Sequence, residues 1–350
     1  EMGQTTPGQP GYPWHVTVQN NTTLNLLPAN VTSNQSMSGN LTVGLDGSGN
    51  GAIACSNIVH DIVVAGNFSL GGTSASGSVT MSSVSGADIF IGGNYTRTTN
   101  GTFTHNNRAV FFTGSTNATL TAPNPGPESF PYVILDKSAL TNTLTPNVPV
   151  SITGKFTLSR GTYNNVGTSN ILHITNTAPD DANNGIGLAN EEDANPGLVN
   201  GQIRRSVGTT YGLYRFPVGK GTSYRGVRLN TTTGGAGQFI AEYLTTTPTP
   251  AIGTGETFGS NLLGIIRNEH WQIDRENGST SASVHIYYRN PGSGNWRNAD
   301  VATGPDPCSN CNVAVVRRST TTGAGNWDFT TIAGNFSATS SPREYRSYTD

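Results

Sequence analysis

The sequence is poor in charge. Only 11% of its 350 residues are Asp, Glu, Lys or Arg, whereas an average soluble domain has about 25%. The only lysines are Lys137, Lys155 and Lys220, and the formal net charge is -2. Such a chain has no basic field to attract phosphate backbones, so nucleic acid is not expected as a partner. Thr, Ser, Asn and Gly must form most of the surface, which is typical of exported β proteins.

Long apolar runs and cysteines are also scarce. No stretch reaches the roughly 18 consecutive apolar residues of a membrane-spanning helix, so no span is expected. The three cysteines are too few for a disulfide scaffold. Cys308 and Cys311 are close enough to form a local disulfide, with free thiols or a metal half-site as alternatives. Cys55 lies in an apolar repeat and is expected to be buried.

The first half contains an internal repeat. Its clearest unit is a glycine, an asparagine, a large apolar residue and a hydroxyl residue, and the glycines are 27 residues apart. The copies are Gly39-Asn40-Leu41-Thr42, Gly66-Asn67-Phe68-Ser69 and Gly93-Asn94-Tyr95-Thr96, with a looser copy at Gly154-Lys155-Phe156-Thr157. Alternating β-branched and aromatic residues predict that each unit forms short strands.

One such unit cannot bury its own apolar face, whereas stacked units close a continuous core. The sequence therefore predicts an all-β chain whose residues 14–207 form a right-handed parallel β-helix. Roughly seven coils would give a rod of about 34 Å. Residues 1–13 are predicted to be an extended N-terminal arm. No charged-then-apolar leader follows Glu1, so a signal peptide is expected to have been removed from an exported protein.

The second half has a different pattern, in which the repeat disappears and separate alternating runs lie between turn signals. Seven such runs predict an antiparallel β-sandwich over residues 208–340, followed by a C-terminal tail at 341–350. The runs are Tyr211–Val218, Tyr224–Leu229, Gln238–Leu244, Leu262–Arg275, Ser283–Arg289, Val313–Arg318 and Trp327–Ile332.

Three sets of repeated residues admit both a structural and a functional interpretation. Asp61 and Asp88 share a repeat position, and capping of turns is favoured over a weak calcium site. Asn40, Asn67 and Asn94 are expected to form a hydrogen-bonded column. Leu41, Phe68 and Tyr95 are expected to form an internal stack, with a sugar-binding aromatic platform as the alternative.

Catalytic constellations are hard to find. Many microbial β-helices are polysaccharide lyases or hydrolases, which need clustered carboxylates and a base. The first 170 residues have few charged side chains, and no nucleophile elbow occurs between a strand and a helix. We expect no catalytic residues and no cofactor. Arginines near the junction are expected to form ion pairs with Glu191, Glu192 and Asp193 or to bind an acidic glycan: Arg204, Arg205, Arg215, Arg225 and Arg228.

Several motifs together resemble large secreted surface proteins of Bacteroidota, which are substrates of type IX secretion. Besides the Gly-Asn-aromatic-Ser/Thr units, the resemblance rests on Phe130–Leu135, Asn200–Arg205, Phe216–Gly219 with Tyr224-Arg225, and Trp271–Arg275. The resemblance covers most of the chain. It implies a β-helical and sandwich architecture and an extracellular or cell-surface location.

The expected function is that of a non-catalytic extracellular structural or adhesive surface protein. The alternative is a carbohydrate-active β-helix enzyme, a polysaccharide lyase or hydrolase. Expected partners are further copies of the chain and surface glycans. Unpaired strand edges at the end of a β-helix predict self-association, with the N-terminal arm as a docking segment and a filament as the product.

Overall fold

The computed structural model describes residues 6, 9, 12–29, 31–123, 126–167, 169–188, 197–233, 235–245, 270–287, 316–318, 327–329 and 344–347. Every regular element in these residues is a β-strand, and no helix there is long and apolar enough to cross a membrane. The predicted parallel β-helix is confirmed as a solenoid of about six turns.

Three parallel sheets form the sides of the solenoid, and the chain visits them in turn. Strands 1 to 11 are β1 Val16–Val18, β2 Thr22–Leu26, β3 Gln35–Met37, β4 Leu41–Val43, β5 Gly51–Cys55, β6 Ile62–Val64, β7 Phe68–Leu70, β8 Gly77–Thr80, β9 Ile89–Ile91, β10 Tyr95–Arg97 and β11 Gly101–Thr104. Sheet A contains β1, β4, β7 and β10, sheet B contains β2, β5, β8 and β11, and sheet C contains β3, β6 and β9. The first coils are therefore three-sided.

After β11 the cross-section changes, because sheet B ends while sheets A and C continue. The next strands are β12 Ala109–Phe112, β13 Ala118–Thr121, β14 Glu128–Asp136, β15 Thr143–Pro146, β16 Val150–Arg160, β17 Thr162–Asn164, β18 Leu172–Ile174, β19 Gly185–Leu188, β20 Leu198–Asn200 and β21 Ile203–Val207. Sheet A takes β13, β15, β17 and β20, and sheet C takes the others. The long strands β14 and β16 shift register at Phe130/Tyr132 and again at Leu135/Asp136.

The loosest repeat copy is not equivalent to the other three. Leu41, Phe68 and Tyr95 are paired neighbours in sheet A. Phe156, in contrast, lies in β16 of sheet C, where it pairs with Val133. The predicted equivalence of the fourth copy was wrong because a Gly-x-Phe-Thr pattern fits any strand that follows a close backbone approach.

The C-terminal strands do not all form a separate unit. They are β22 Leu213–Phe216, β23 Gly219–Lys220, β24 Ser223–Tyr224, β25 Val227–Thr233, β26 Gly237–Leu244, β27 His270–Gly278, β28 Ser281–Tyr287, β29 Val316–Arg318, β30 Trp327–Phe329 and β31 Glu344–Ser347. β26 pairs antiparallel with β21 and β27 with β26, so both extend sheet C of the solenoid. β22, β25, β28 and β31 form a separate antiparallel sheet, which includes a strand of the expected C-terminal tail.

The solenoid interior is one continuous apolar core. It runs from Val18 in the first coil to Val207 in β21 and onward to Tyr214 and Phe239. Alternation along each short strand produces this core, because the middle residue points outward and its two neighbours point inward, as in Ile62–Val64 and Phe68–Leu70. Stacking closes the core that a single coil leaves open.

Candidate functional site

The repeated asparagines form a column on the outside corner of the solenoid, here called the asparagine ladder. The Oδ1 atom of Asn40 accepts a hydrogen bond of 2.9 Å from the backbone N–H of Asn67, and Asn67 does the same for Asn94 at 2.8 Å. Asn94 in turn accepts from the N–H of Thr119 at 2.8 Å, and His15 Nδ1 accepts from Asn40 N–H at 2.9 Å. The asparagine side chains are therefore used to hydrogen-bond successive coils to one another.

The glycine before each asparagine is required by this ladder. A Cβ atom at Gly66 would overlap Oδ1 of Asn40, and one at Gly93 would lie 2.5 Å from Oδ1 of Asn67. Real Cβ atoms do not approach oxygen so closely, so a side chain here would push the amide out of place. The Gly-Asn pair therefore makes the same contact in three coils, and this contact explains the 27-residue spacing of the repeat.

Leu41, Phe68 and Tyr95 point into the core in register. Their exposed fractions are 1%, 0% and 0%, and the rings of Phe68 and Tyr95 lie 5.6 Å apart between centroids. A sugar-binding platform needs an open ring face, and these rings have none. A second aromatic pair, Phe90 and Phe111, lies half-buried on the outer face of sheet C, and its two rings stack with 4.1 Å between their centroids.

Asp61 and Asp88 form a second ladder, at the start of the sheet C strands. Asp61 accepts hydrogen bonds from Asp88 N–H at 3.0 Å and from the Asn34 amide at 3.3 Å, and Asp88 accepts from Ala109 N–H at 2.7 Å. Burial, with a smaller contribution from Asp88, raises the pKa of Asp61. Calcium takes 6–8 oxygen ligands. Among the described residues no cluster of three or more His, Cys, Asp or Glu forms a metal site.

The group that most resembles catalytic machinery lies where sheet B ends. The Tyr95 hydroxyl donates to Glu128 Oε1 at 2.7 Å, and Arg97 Nε donates to both Glu128 oxygens at 2.9 and 3.1 Å. Glu128 is 3% exposed. Burial, then the nearby Glu128 charge, raises the pKa of Tyr95, and burial lowers that of His105 to about 4. The carboxylate is an ion-paired acceptor that joins β10 to β14, and its oxygens are already occupied.

A second buried ion pair holds the segment before β19. Asp180 and Arg205 both have fully buried side chains, with 2.8 Å between Oδ1 and Nη2. Asp180 also accepts from the backbone N–H groups of Ile186 and Arg215 at 2.8 and 2.6 Å. The sequence interpretation assigned Arg205 to acidic partners at 191–193, which lie outside the described residues. Nothing in the sequence distinguished Asp180 as the partner.

Lys137 is a further buried charge, 1% exposed, and it binds backbone carbonyls. Its Nζ donates to Thr113 O and, at 3.4 Å, to Gly92 O. Burial lowers its pKa to about 8.

Of the cysteines, Cys55 is buried, and burial raises its thiol pKa to about 12. Cys308 and Cys311 lie outside the described residues.

An uncharged groove of about 530 Å³ crosses four coils where the sheet B strands begin. One side carries amides and hydroxyls that recur coil after coil, and the other carries short outward side chains. The lining residues include Asn50, Ser76 and Asn100 on the first side and Thr23, Ser78 and Thr102 on the second. Gly51 and Gly77 lie between them, because Cβ atoms there would overlap the carbonyls of Val18 and Val43. None of the residues that line the groove is charged.

β1, β2 and β3 are the terminal strands of sheets A, B and C within the described part of the chain.

Comparison with known proteins finds no matching family model, no matching curated protein and no matching solved structure.

Proposed function

We propose that this protein is a non-catalytic structural or adhesive element of the cell surface or extracellular matrix, secreted in the manner of the Bacteroidota surface proteins it resembles. One observation carries the proposal: several carboxylates of the solenoid hold neighbouring coils or strands together. Asp61, Asp88, Glu128 and Asp180 accept hydrogen bonds from neighbouring coils or strands.

Asp46 follows the same pattern in a surface loop. Its two oxygens accept from the N–H groups of Thr73, Ser74 and Ala75, one coil further along, at 2.7, 2.8 and 3.0 Å. The Thr73 hydroxyl also donates to Asp46, at 2.6 Å. This bond first, and then the three backbone bonds, hold the pKa of Asp46 well below its usual range. A lyase or hydrolase needs a carboxylate that can exchange protons with substrate, whereas these groups are bound within the rod.

Two finer features belong to the same proposal. The solenoid is right-handed, because right-twisted parallel strands connect in that hand. The sheet of β22, β25, β28 and β31 is one layer of an antiparallel sandwich, supported by the antiparallel registers of those strands. The groove on sheet B supports binding of uncharged surface glycans, since none of its lining residues is charged.

Degradation assays on a panel of uronic-acid and neutral polysaccharides test the absence of catalysis. We expect no depolymerisation by the wild-type chain. Activity that is lost in Glu128→Gln and retained in Asp136→Asn, an exposed carboxylate on the same strand, would show that the buried cluster is catalytic and would overturn the proposal.

Glycan binding is tested separately on immobilised neutral polysaccharides. Ser78→Arg places a long charged side chain in the groove, and we expect it to abolish retention. Ser69→Arg is the matched control, because Ser69 also points outward from a middle coil but lies on sheet A. Equal retention of the two variants would show that the groove is not the binding surface.

A further inference from the structure

The groove on sheet B is lined by the same strand positions in four successive coils. At one of these positions the outward residues Thr23, Ala52, Ser78 and Thr102 are paired neighbours, and no register shift separates them. Neighbouring parallel strands lie about 4.8 Å apart, so these four residues follow a line of about 14 Å. The long dimension of the groove therefore runs along the rod axis.

The amides on the other side of the groove each have one end fixed by a neighbouring coil. Asn50 Oδ1 accepts the N–H of Ser76 at 2.7 Å. Asn100 Nδ2 donates to the carbonyls of Gly72 and Thr73 at 3.2 and 2.8 Å. In the described part of the chain nothing bonds to Asn50 Nδ2 or to Asn100 Oδ1. A donor and an acceptor are thus held in place for a ligand, which lowers the cost of ordering them on binding.

The groove offers side chains and not backbone groups. β5 and β8 each have a strand of sheet B on both sides, so their N–H and C=O groups pair within the sheet. A peptide that adds to a sheet needs an exposed edge. The lining residues include no aromatic ring and no charge. A ligand is therefore recognised through its own uncharged hydroxyl or amide groups.

We infer that the groove binds a linear, neutral polysaccharide in an extended conformation, which lies along the rod axis with one sugar beside each coil. The inference rests on the glycan binding included in the proposed function. A chain of β-(1→4)-linked pyranoses is straight and advances by nearly one inter-strand spacing per sugar, so each sugar meets the same groups on the next coil. An α-(1→4)-linked chain curves and loses this register. The groove volume of about 530 Å³ is within the range of small-ligand sites.

Linkage geometry provides the first test, made on the full chain by titration calorimetry. Cellotetraose and tetra-N-acetylchitotetraose are straight, whereas maltotetraose has the composition of cellotetraose and is curved. We expect at least one straight tetrasaccharide to bind about ten-fold more tightly than maltotetraose, because hydrogen bonds to several coils are made together. Affinity in the same straight series should rise from the disaccharide to the tetrasaccharide and then level off.

Asn50→Asp tests the groove with little change to the fold. The variant keeps an oxygen to accept the Ser76 N–H and replaces the amide donor by a charge, so we expect the straight tetrasaccharide to bind about ten-fold more weakly. Asn67→Asp is the matched control. Asn67 accepts the backbone N–H of the next coil in the same way, but it lies outside the groove, so this variant should bind like the wild type.

A gain of affinity provides a test that unfolding cannot imitate. Ala52 is the one member of its column without a hydroxyl, between Thr23 and Ser78. Ala52→Ser supplies the missing group, and we expect the straight tetrasaccharide to bind about three-fold more tightly. Ala54→Ser is the control, because Ala54 is the next outward residue of β5 and does not line the groove.

Three results would overturn the inference. Binding that Ser78→Arg abolishes but that is equal for straight and curved tetrasaccharides, or for disaccharide and tetrasaccharide, would leave a glycan site without the axial arrangement. Wild-type affinity in Asn50→Asp, or no difference between Ala52→Ser and Ala54→Ser, would place the sugar chain elsewhere. Failure to bind any neutral glycan would also remove glycan binding from the proposed function, and this distinguishes it from the first two results.

Discussion

Removing one asparagine of the ladder tests how the repeat stabilises the rod. In Asn67→Ala, the backbone N–H of Asn94 loses the acceptor that lies 2.8 Å away, and no other acceptor is recorded for it in the described structure. A buried N–H left without an acceptor costs about 1–3 kcal/mol. This group is only part-buried and water reaches it, so we expect about 1 kcal/mol, the lower end of that range.

The loss of stability can be measured for the whole chain by unfolding and at a single residue by amide exchange. Urea unfolding should show a lower midpoint for Asn67→Ala with an unchanged slope, because the surface exposed on unfolding stays the same. Amide exchange at Asn94 should accelerate by about five-fold, the factor that corresponds to about 1 kcal/mol. Exchange at Val79, in sheet B, should change less.

The control is Asn67→Asp, which keeps the acceptor oxygen. The solenoid already uses carboxylates in this role, since Asp61 and Asp88 accept backbone N–H groups at 3.0 and 2.7 Å. We therefore expect Asn67→Asp to unfold close to the wild type at neutral pH. If the Asp and Ala variants lost the same stability, or if neither lost any, the ladder would not be a source of stability.

Three further outcomes follow from buried groups. Because burial lowers the pKa of His105 to about 4, from an unfolded value of about 6.5, the unfolded chain binds its proton first and stability falls as pH drops below about 6.5. In His105→Phe the loss of stability between pH 7 and pH 5 should be smaller, and an unchanged loss contradicts this assignment. Phe68→Ala should cost about 3–5 kcal/mol and Phe68→Leu less, and a wild-type melting temperature in the Ala variant argues against the core assignment. Asp61→Asn should melt like the wild type with and without calcium, whereas a calcium-dependent rise seen only in the wild type would indicate a metal site.

The solenoid could be predicted because its signal is local and periodic. Leu41, Phe68 and Tyr95 recur at equal spacing since each occupies one position in adjacent coils, and Gly66 and Gly93 recur because the amide of the previous coil lies against them. The period fails where loops change length. Leu120 pairs with Tyr95 at a spacing of 25 residues, so register is kept while sequence spacing is not.

The pairing of the C-terminal strands could not be predicted in the same way. Alternation identified strands near Gln238–Leu244 and before Arg275, but it says nothing about which neighbour a strand joins. β26 pairs with β21 across the expected domain boundary at 207/208. The Asp180–Arg205 ion pair was equally hidden, because its members are brought together by the fold and carry no spacing signal.

Charge scarcity and the contacts between coils are two aspects of one design. A rod held together by short parallel strands has to join coil to coil at every corner, and several of its few carboxylates do so, as Asp46, Asp61 and Glu128 show. Few charges then remain to blunt a strand edge, and the first coil has none in its strands. An edge without charge attracts other strands unless something occupies it. The same composition that leaves few unengaged carboxylates on the rod therefore also leaves the strands of the first coil without the charge that discourages pairing with other strands.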